Sequence, residues 1–152
     1  MPTTKPAKQS ALAGHELAAW RGMLETHAWV TRRLDAEMHA EHRLSLSAYE
    51  VLMFLADAPE RRMRMSDLAA LVLLTRSGCT RLVDRLVARG YVTRCVDNSD
   101  GRGLYAELTA DGLNKLTAAR RTHHDGIRRY FLDHLTATDQ IALADIWTRF
   151  AA

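Results

Sequence analysis

Apolar residues recur at steps of three and four along most of this chain and switch to a step of two only once. The first helical stretch runs from Ser10 to about His42. Leu17, Trp20, Leu24, His27, Thr31, Leu34 and Met38 alternate steps of three and four there, the spacing of a helix packed on other helices. His27 and Thr31 interrupt that stripe, either as hydrogen-bonded packing residues or as part of a ligand crevice. The next helix opens at LSAYEV (46–51), with Ser47 and Glu50 as a capping box and Leu46 with Val51 as a hydrophobic staple. Val51, Leu52, Phe54 and Leu55 form its core side, and Ala58-Pro59 ends it. Arg61, Arg62 and Arg64 then make a basic turn, in which Met63 and Met65 suit a short strand.

Two short helices follow, Ser66 to about Leu73 and Thr75 to about Arg89. Thr75 is a good N-cap, and Gly90 suits the left-handed residue that ends helices. Between them Cys79, Leu82, Val83 and Leu86 form a buried face, opposite Ser77, Thr80, Arg81, Asp84 and Arg85. The two-residue step comes next. Tyr91–Val96 and Leu104–Leu108 read as a ribbon around the turn-forming run 97–103, with Leu104, Ala106 and Leu108 inward and Tyr105 and Glu107 outward. Helix, turn, helix, ribbon is a helix-turn-helix with a wing, a shape suited to a DNA groove.

On that reading Asp84 repels phosphate, so the N-terminal half of the second helix enters deepest. Thr75, Arg76, Ser77, Thr80, Arg81 and Arg85 are then the base-edge and phosphate candidates. Arg102 sits near the ribbon tip, where it can reach a minor groove or clamp a phosphate, with Asp100 placed to orient it. After the ribbon, Thr109 caps a helix expected to run to about Leu135, with Arg120, His123 and His124 in its middle. Thr136 and Asp139 cap a last helix to about Phe150, striped by Leu143, Ile146, Trp147 and Phe150. A terminal helix this apolar needs a partner, either the first long helix or a second copy of the chain.

Composition narrows the class. The chain has 152 residues, 47% hydrophobic and 26% charged, with a formal net charge of +3, as in an ordinary globular protein of one domain. That mild excess permits nucleic-acid binding without requiring it. No apolar run is long enough to span a bilayer and none resembles a signal peptide, so the expected location is the cytoplasm, with no membrane partner. Residues 1–9 read as a mobile leader and 10–152 as one domain.

TRSGCTRLVDRLVARGYV, then D-x-x-D-x-R, then LTADG together resemble the winged helix-turn-helix regulators named after the multiple antibiotic resistance regulator, MarR. The resemblance is strongest from Leu46 to Gly112. It implies a mainly α fold with a small β-wing. A winged DNA-binding lobe (46–109) would be flanked by dimerisation helices (10–45 and 110–152). It further implies a homodimer, a repressor on a pseudo-palindromic site in double-stranded DNA, and a small aromatic or anionic effector bound between the lobes. Two departures stand out: Gly101, where the family usually has a larger residue, and Gly78 in the first turn of the recognition helix.

The remaining chemistry is sparse. Trp20 and His27 lie one heptad apart and together suit a small aromatic anion, with Arg120, His123 and His124 as the other candidate set. His39, Glu41 and His42, or His123, His124 and Asp125, offer a zinc-responsive alternative, but no spacing fixes three or four ligands. No cofactor, nucleophile elbow or phosphate-cradling glycine loop is legible, so no enzyme is expected. Cys79 falls on the buried face and Cys95 in the ribbon. The peroxide sensors of the resembling family carry their cysteine in the first helix, where this chain has none.

Overall fold

The computed structural model describes residues 11–97 and 103–150. Helices α1 (Gly14–His42) and α2 (Leu46–Asp57) come first. Strand β1 (Arg62–Arg64), helices α3 (Met65–Leu71) and α4 (Arg76–Ala88), and strands β2 (Val92–Asp97) and β3 (Gly103–Leu108) follow. Helices α5 (Ala110–Tyr130) and α6 (Ala137–Thr148) close the chain. The fold is mainly helical with one small antiparallel sheet of strand order β1-β3-β2, the expected architecture. Arg64 and Cys95 both pair with Tyr105, and Met63 with Ala106, so the Met63 strand does complete the wing sheet.

The core belongs to the winged lobe. Leu52 and Leu55 of α2, Leu68 of α3, Val83 and Leu86 of α4, Val92 of β2 and Leu116 of α5 meet there, none more than 1% exposed. Each such burial contributes about 1.5–3 kcal/mol before entropy is counted. Gly112 fixes how α5 leaves this core. The Thr109 N–H donates to the Tyr91 carbonyl at 3.1 Å and the Thr109 hydroxyl donates to the Gly90 carbonyl at 2.6 Å. The same hydroxyl accepts from the Gly112 N–H at 3.0 Å. A Cβ at 112 would overlap the Tyr91 carbonyl oxygen, so the glycine of LTADG is sterically required.

Four expectations are corrected. The cap of α2 is Ser45, not Ser47: its hydroxyl accepts from Ala48 at 3.1 Å, while the Leu46 N–H donates to Asp35 of α1 at 2.8 Å. The tie to α1 starts the helix earlier than the capping-box pattern suggested. Helix α5 stops at Tyr130 rather than Leu135; Phe131 leaves the helical region, a 3-10 turn covers Leu132–His134, and Gln140 donates to the Leu132 and Leu135 carbonyls that the break leaves behind. Leu104 is 41% exposed, because β3 begins beyond the edge of the core it was expected to face. On α1 only Leu34 and Met38 of the long stripe are buried, while Trp20 and Leu24 stand open to solvent.

Candidate nucleic-acid interface

Helix α4 is held by its ends and by one face. Thr75, extended at φ −64° and ψ 158°, accepts from the Gly78 N–H at 3.1 Å. A Cβ at 78 would come within 3.1 Å of that hydroxyl oxygen. The glycine costs about 1 kcal/mol in helix propensity, yet it leaves the cap undisturbed. At the other end Gly90 takes φ 76°, and the Tyr91 N–H returns to the Leu86 carbonyl at 3.0 Å, closing the helix as its sequence suggested. Cys79, Leu82, Val83 and Leu86 are buried. Arg76, Ser77, Thr80, Arg81 and Arg85 line the exposed face, beside the uncompensated N–H groups of the first turn.

Asp84 does not stand as a bare negative charge on that face. Arg94 of β2 donates to its carboxylate at 2.8 Å and to the Thr80 carbonyl at 3.3 Å. Sequence reasoning missed Arg94, although the signal was present. Val92, Arg94 and Val96 share one side of the ribbon, and a cation among inward positions requires a partner. Just before Thr75, Leu73 adopts φ 53° and is 90% exposed, a left-handed conformation costing an ordinary residue about 1–2 kcal/mol. Of the basic turn, Arg62 pairs with Glu60 at 2.9 Å. Arg62 and Arg64 both stack on Tyr105, at 5.5 and 5.3 Å from the ring centre. Asp100 and Arg102 lie outside the described residues.

The expected effector residues fall into two places. Trp20 and His27 line a broad apolar groove of about 1200 Å³ between α1 and the chain's end, together with Trp29, Phe131, Ile146 and Trp147. Arg120, His123 and His124 sit on α5, with His123 and Arg120 against α2. His123 stacks on Tyr49 with ring centres 4.4 Å apart, and its Nδ1 is buried without a hydrogen-bond partner. Burial, helped by the neighbouring His124, holds the His123 imidazole below its usual pKa. Burial raises the Tyr49 hydroxyl, against a hydrogen bond and charge from Arg120. Burial also raises Glu50, which feels His27 as an opposing charge. Thr31 simply returns its hydroxyl to the His27 carbonyl at 2.7 Å, a packing role.

Other chemistry is quieter. Cys79 is fully buried, and desolvation pushes its thiol above the ordinary value. Cys95 is half-buried and lies 3.7 Å from the Glu107 carboxylate. His42 meets Thr122 at 2.8 Å, and Thr122 donates to Glu41 at 2.8 Å. Among the described residues no three histidines, cysteines or carboxylates gather as a metal site. No described helix is long and apolar enough to cross a membrane.

Comparison with known proteins gives a consistent result. Residues 44–103 match the model of the MarR family. The structure is similar to that of Sco3205, a MarR family transcriptional regulator from Streptomyces coelicolor solved in complex with DNA. The two share 32% identity over 95% of this chain and 91% of that one, with a TM-score of 0.86. It is equally similar to AbsC, a MarR family transcriptional regulator from the same organism, at 31% identity over 94% and 96% of the two chains and a TM-score of 0.85. The HTH-type transcriptional repressor YetL of Bacillus subtilis is 34% identical over 73 residues, 48% of this chain and 44% of YetL. The chain spans about half the length of the curated relatives it matches.

Proposed function

The chain belongs to the MarR family of transcriptional regulators rather than to a family of enzymes, and from that premise we propose that it is a homodimeric repressor. It binds a pseudo-palindromic site in double-stranded DNA and is released by a small aromatic, anionic effector. One observation carries the DNA reading: α4 is locked into the core by one face while the other offers Arg76, Ser77, Thr80, Arg81 and Arg85 to solvent beside the wing. In this reading Thr75, Arg76 and Ser77 meet the groove first, Arg81 reads a base edge, and Arg85 and Arg102 work on the backbone or the minor groove, with Asp100 orienting Arg102.

The dimer is supported by what the chain leaves uncovered. None of the residues of α6 is fully buried, Phe150 is 77% exposed, and the groove between α1 and α6 is lined mostly by apolar side chains. A second copy, related by two-fold symmetry, has the same apolar helices to offer in return. Two copies of α4 must then lie about one DNA turn apart, roughly 34–36 Å, to enter successive major grooves. An effector releases DNA only through its preference for a different spacing. If the groove holding Trp20 and His27 is taken by the second chain, the better seat for an aromatic anion is Arg120, His123 and Tyr49, with His124 beside it.

Footprinting on the DNA upstream of its own gene tests the reading and should show two half-sites about 10 base pairs apart, centre to centre. Arg81→Ala should cost about 1–3 kcal/mol, concentrated on that site. No protection there, with a monomer in sedimentation at micromolar concentration, would overturn the proposal.

A further inference from the structure

A cavity of about 280 Å³ opens between α4 and the base of the wing, lined by Arg64, Ser66, Arg76, Thr80, Gly103 and Leu104. Its polar wall is built from two elements. Arg76 is the first residue of α4, and Arg64 is the last residue of β1. Ser66 and Thr80 add hydroxyls, and no carboxylate lines it among the described residues. Tyr105 and Gly103 both lie beside the Arg64 guanidinium. Its guanidinium lies 5.3 Å from the centre of the Tyr105 ring. A Cβ on Gly103 would lie 3.3 Å from Arg64 Nη1, 3.4 Å from the guanidinium carbon and 2.9 Å from Tyr105 Cε2. The guanidinium therefore lies close over the place that a side chain at 103 would fill. Stacking engages the flat face of a guanidinium, whereas its N–H groups donate in the plane.

We propose that Arg64 is a DNA phosphate anchor, seated by the missing side chain of Gly103 and steadied by Tyr105. The proposal rests on the DNA-binding reading above and adds to it a contact from β1. The argument is geometric. With α4 in a major groove and the wing over the adjacent minor groove, the strand separating the two grooves passes over the ground between them. The cavity occupies that ground, and two guanidinium groups with two hydroxyls suit the oxygens of a phosphodiester. Arg62, two residues before Arg64 on the same strand and tied to Glu60, is not part of it.

A phosphate contact carries no sequence information, so the probe is a random-sequence DNA duplex, titrated with the full chain across several salt concentrations. Arg64→Ala should weaken binding about tenfold at low salt and lower the salt slope by about one. Gly103→Ala removes no donor, yet should weaken binding by a similar factor, because it displaces the guanidinium. The double variant should bind no worse than Arg64→Ala alone, since both remove one contact. Should Arg64→Ala melt early, Arg64→Gln keeps a planar group without charge and should reproduce the change in slope. An unchanged slope in these variants overturns the anchor. A Gly103→Ala loss that adds in full to that of Arg64→Ala overturns the seat. Wild-type protein that binds no DNA brings down both readings. Wild type and Arg81→Ala behaving as expected beside a silent Arg64→Ala bring down this one alone.

Discussion

Helices α4 and α6 are nearly the same length and end up in opposite circumstances. Helix α4 buries Cys79, Leu82, Val83 and Leu86 within its own chain. Helix α6 has no fully buried residue; it leaves Ile141 and Trp147 in the open, and Phe150, just beyond its end, is exposed too. The same contrast divides α1, whose last turns bury Leu34 and Met38 while Trp20 and Leu24 near its start stay exposed. The winged lobe thus buries its core within one chain, whereas the outer lobe leaves apolar side chains exposed that the proposed second copy would cover. Amphipathic spacing says that a helix has a partner; it does not say whose chain supplies it.

The sharpest way to break that comparison is to spoil the open half. Trp147→Asp puts a charge into the apolar groove and should leave a monomer at micromolar concentration by sedimentation. Affinity for a duplex with both half-sites should fall about a hundredfold or more, because the two heads no longer act together. Hydrogen-exchange protection of α4 and β2 should persist; its loss would mean that the winged lobe is not complete alone. A dimer that survives would place the second chain elsewhere. The reverse test attacks the closed half: Gly112→Ala forces a methyl against the Tyr91 carbonyl and should cost about 1–3 kcal/mol in denaturant unfolding. Wild-type stability would mean that α5 leaves the core by another path.

The smallest effect sharpens the boundary between the halves, where His123 lies against Tyr49. Burial and His124 hold its folded pKa below the ordinary value of about 6.5. The unfolded chain therefore binds the proton more readily. The stability this implies is present above that ordinary value and is lost as pH falls below it toward the folded pKa. His123→Phe keeps a ring on Tyr49 and should flatten the melting temperature between pH 7 and pH 5. An equal slope in the variant would show that other groups set it.

Legibility in the sequence follows the range of the interaction. Thr75, Gly90, Thr109 and Thr136 were readable because a cap is settled within a few residues. The face of α4 was readable because four buried positions at helical steps allow only one side. Ser45 was hidden behind Ser47, since the Asp35 contact that selects it comes from another helix. Arg94 was passed over because its partner, ten positions away, looked like a liability in isolation. Trp20 and Arg120 stood in two alternative candidate ligand sets, because periodicity along a helix 29 residues long carries no record of which stretch meets which neighbour. The tip residues Asp100 and Arg102 rest on sequence and family resemblance alone.

The bridge from Arg94 to Asp84 and Thr80 has a mechanical consequence. It rivets β2 to the middle of α4, while the Tyr91 carbonyl, taking the Thr109 N–H, rivets the root of the ribbon to the start of α5. Helix and wing then travel as one piece, like the jaws of a caliper with no play in the joint. In the proposed reading, a signal would then act by swinging the head as a whole on the long arm of α5 rather than by sliding its parts, so that a small rotation near Tyr49 and His123 would become a larger change in reach at the tip of α4.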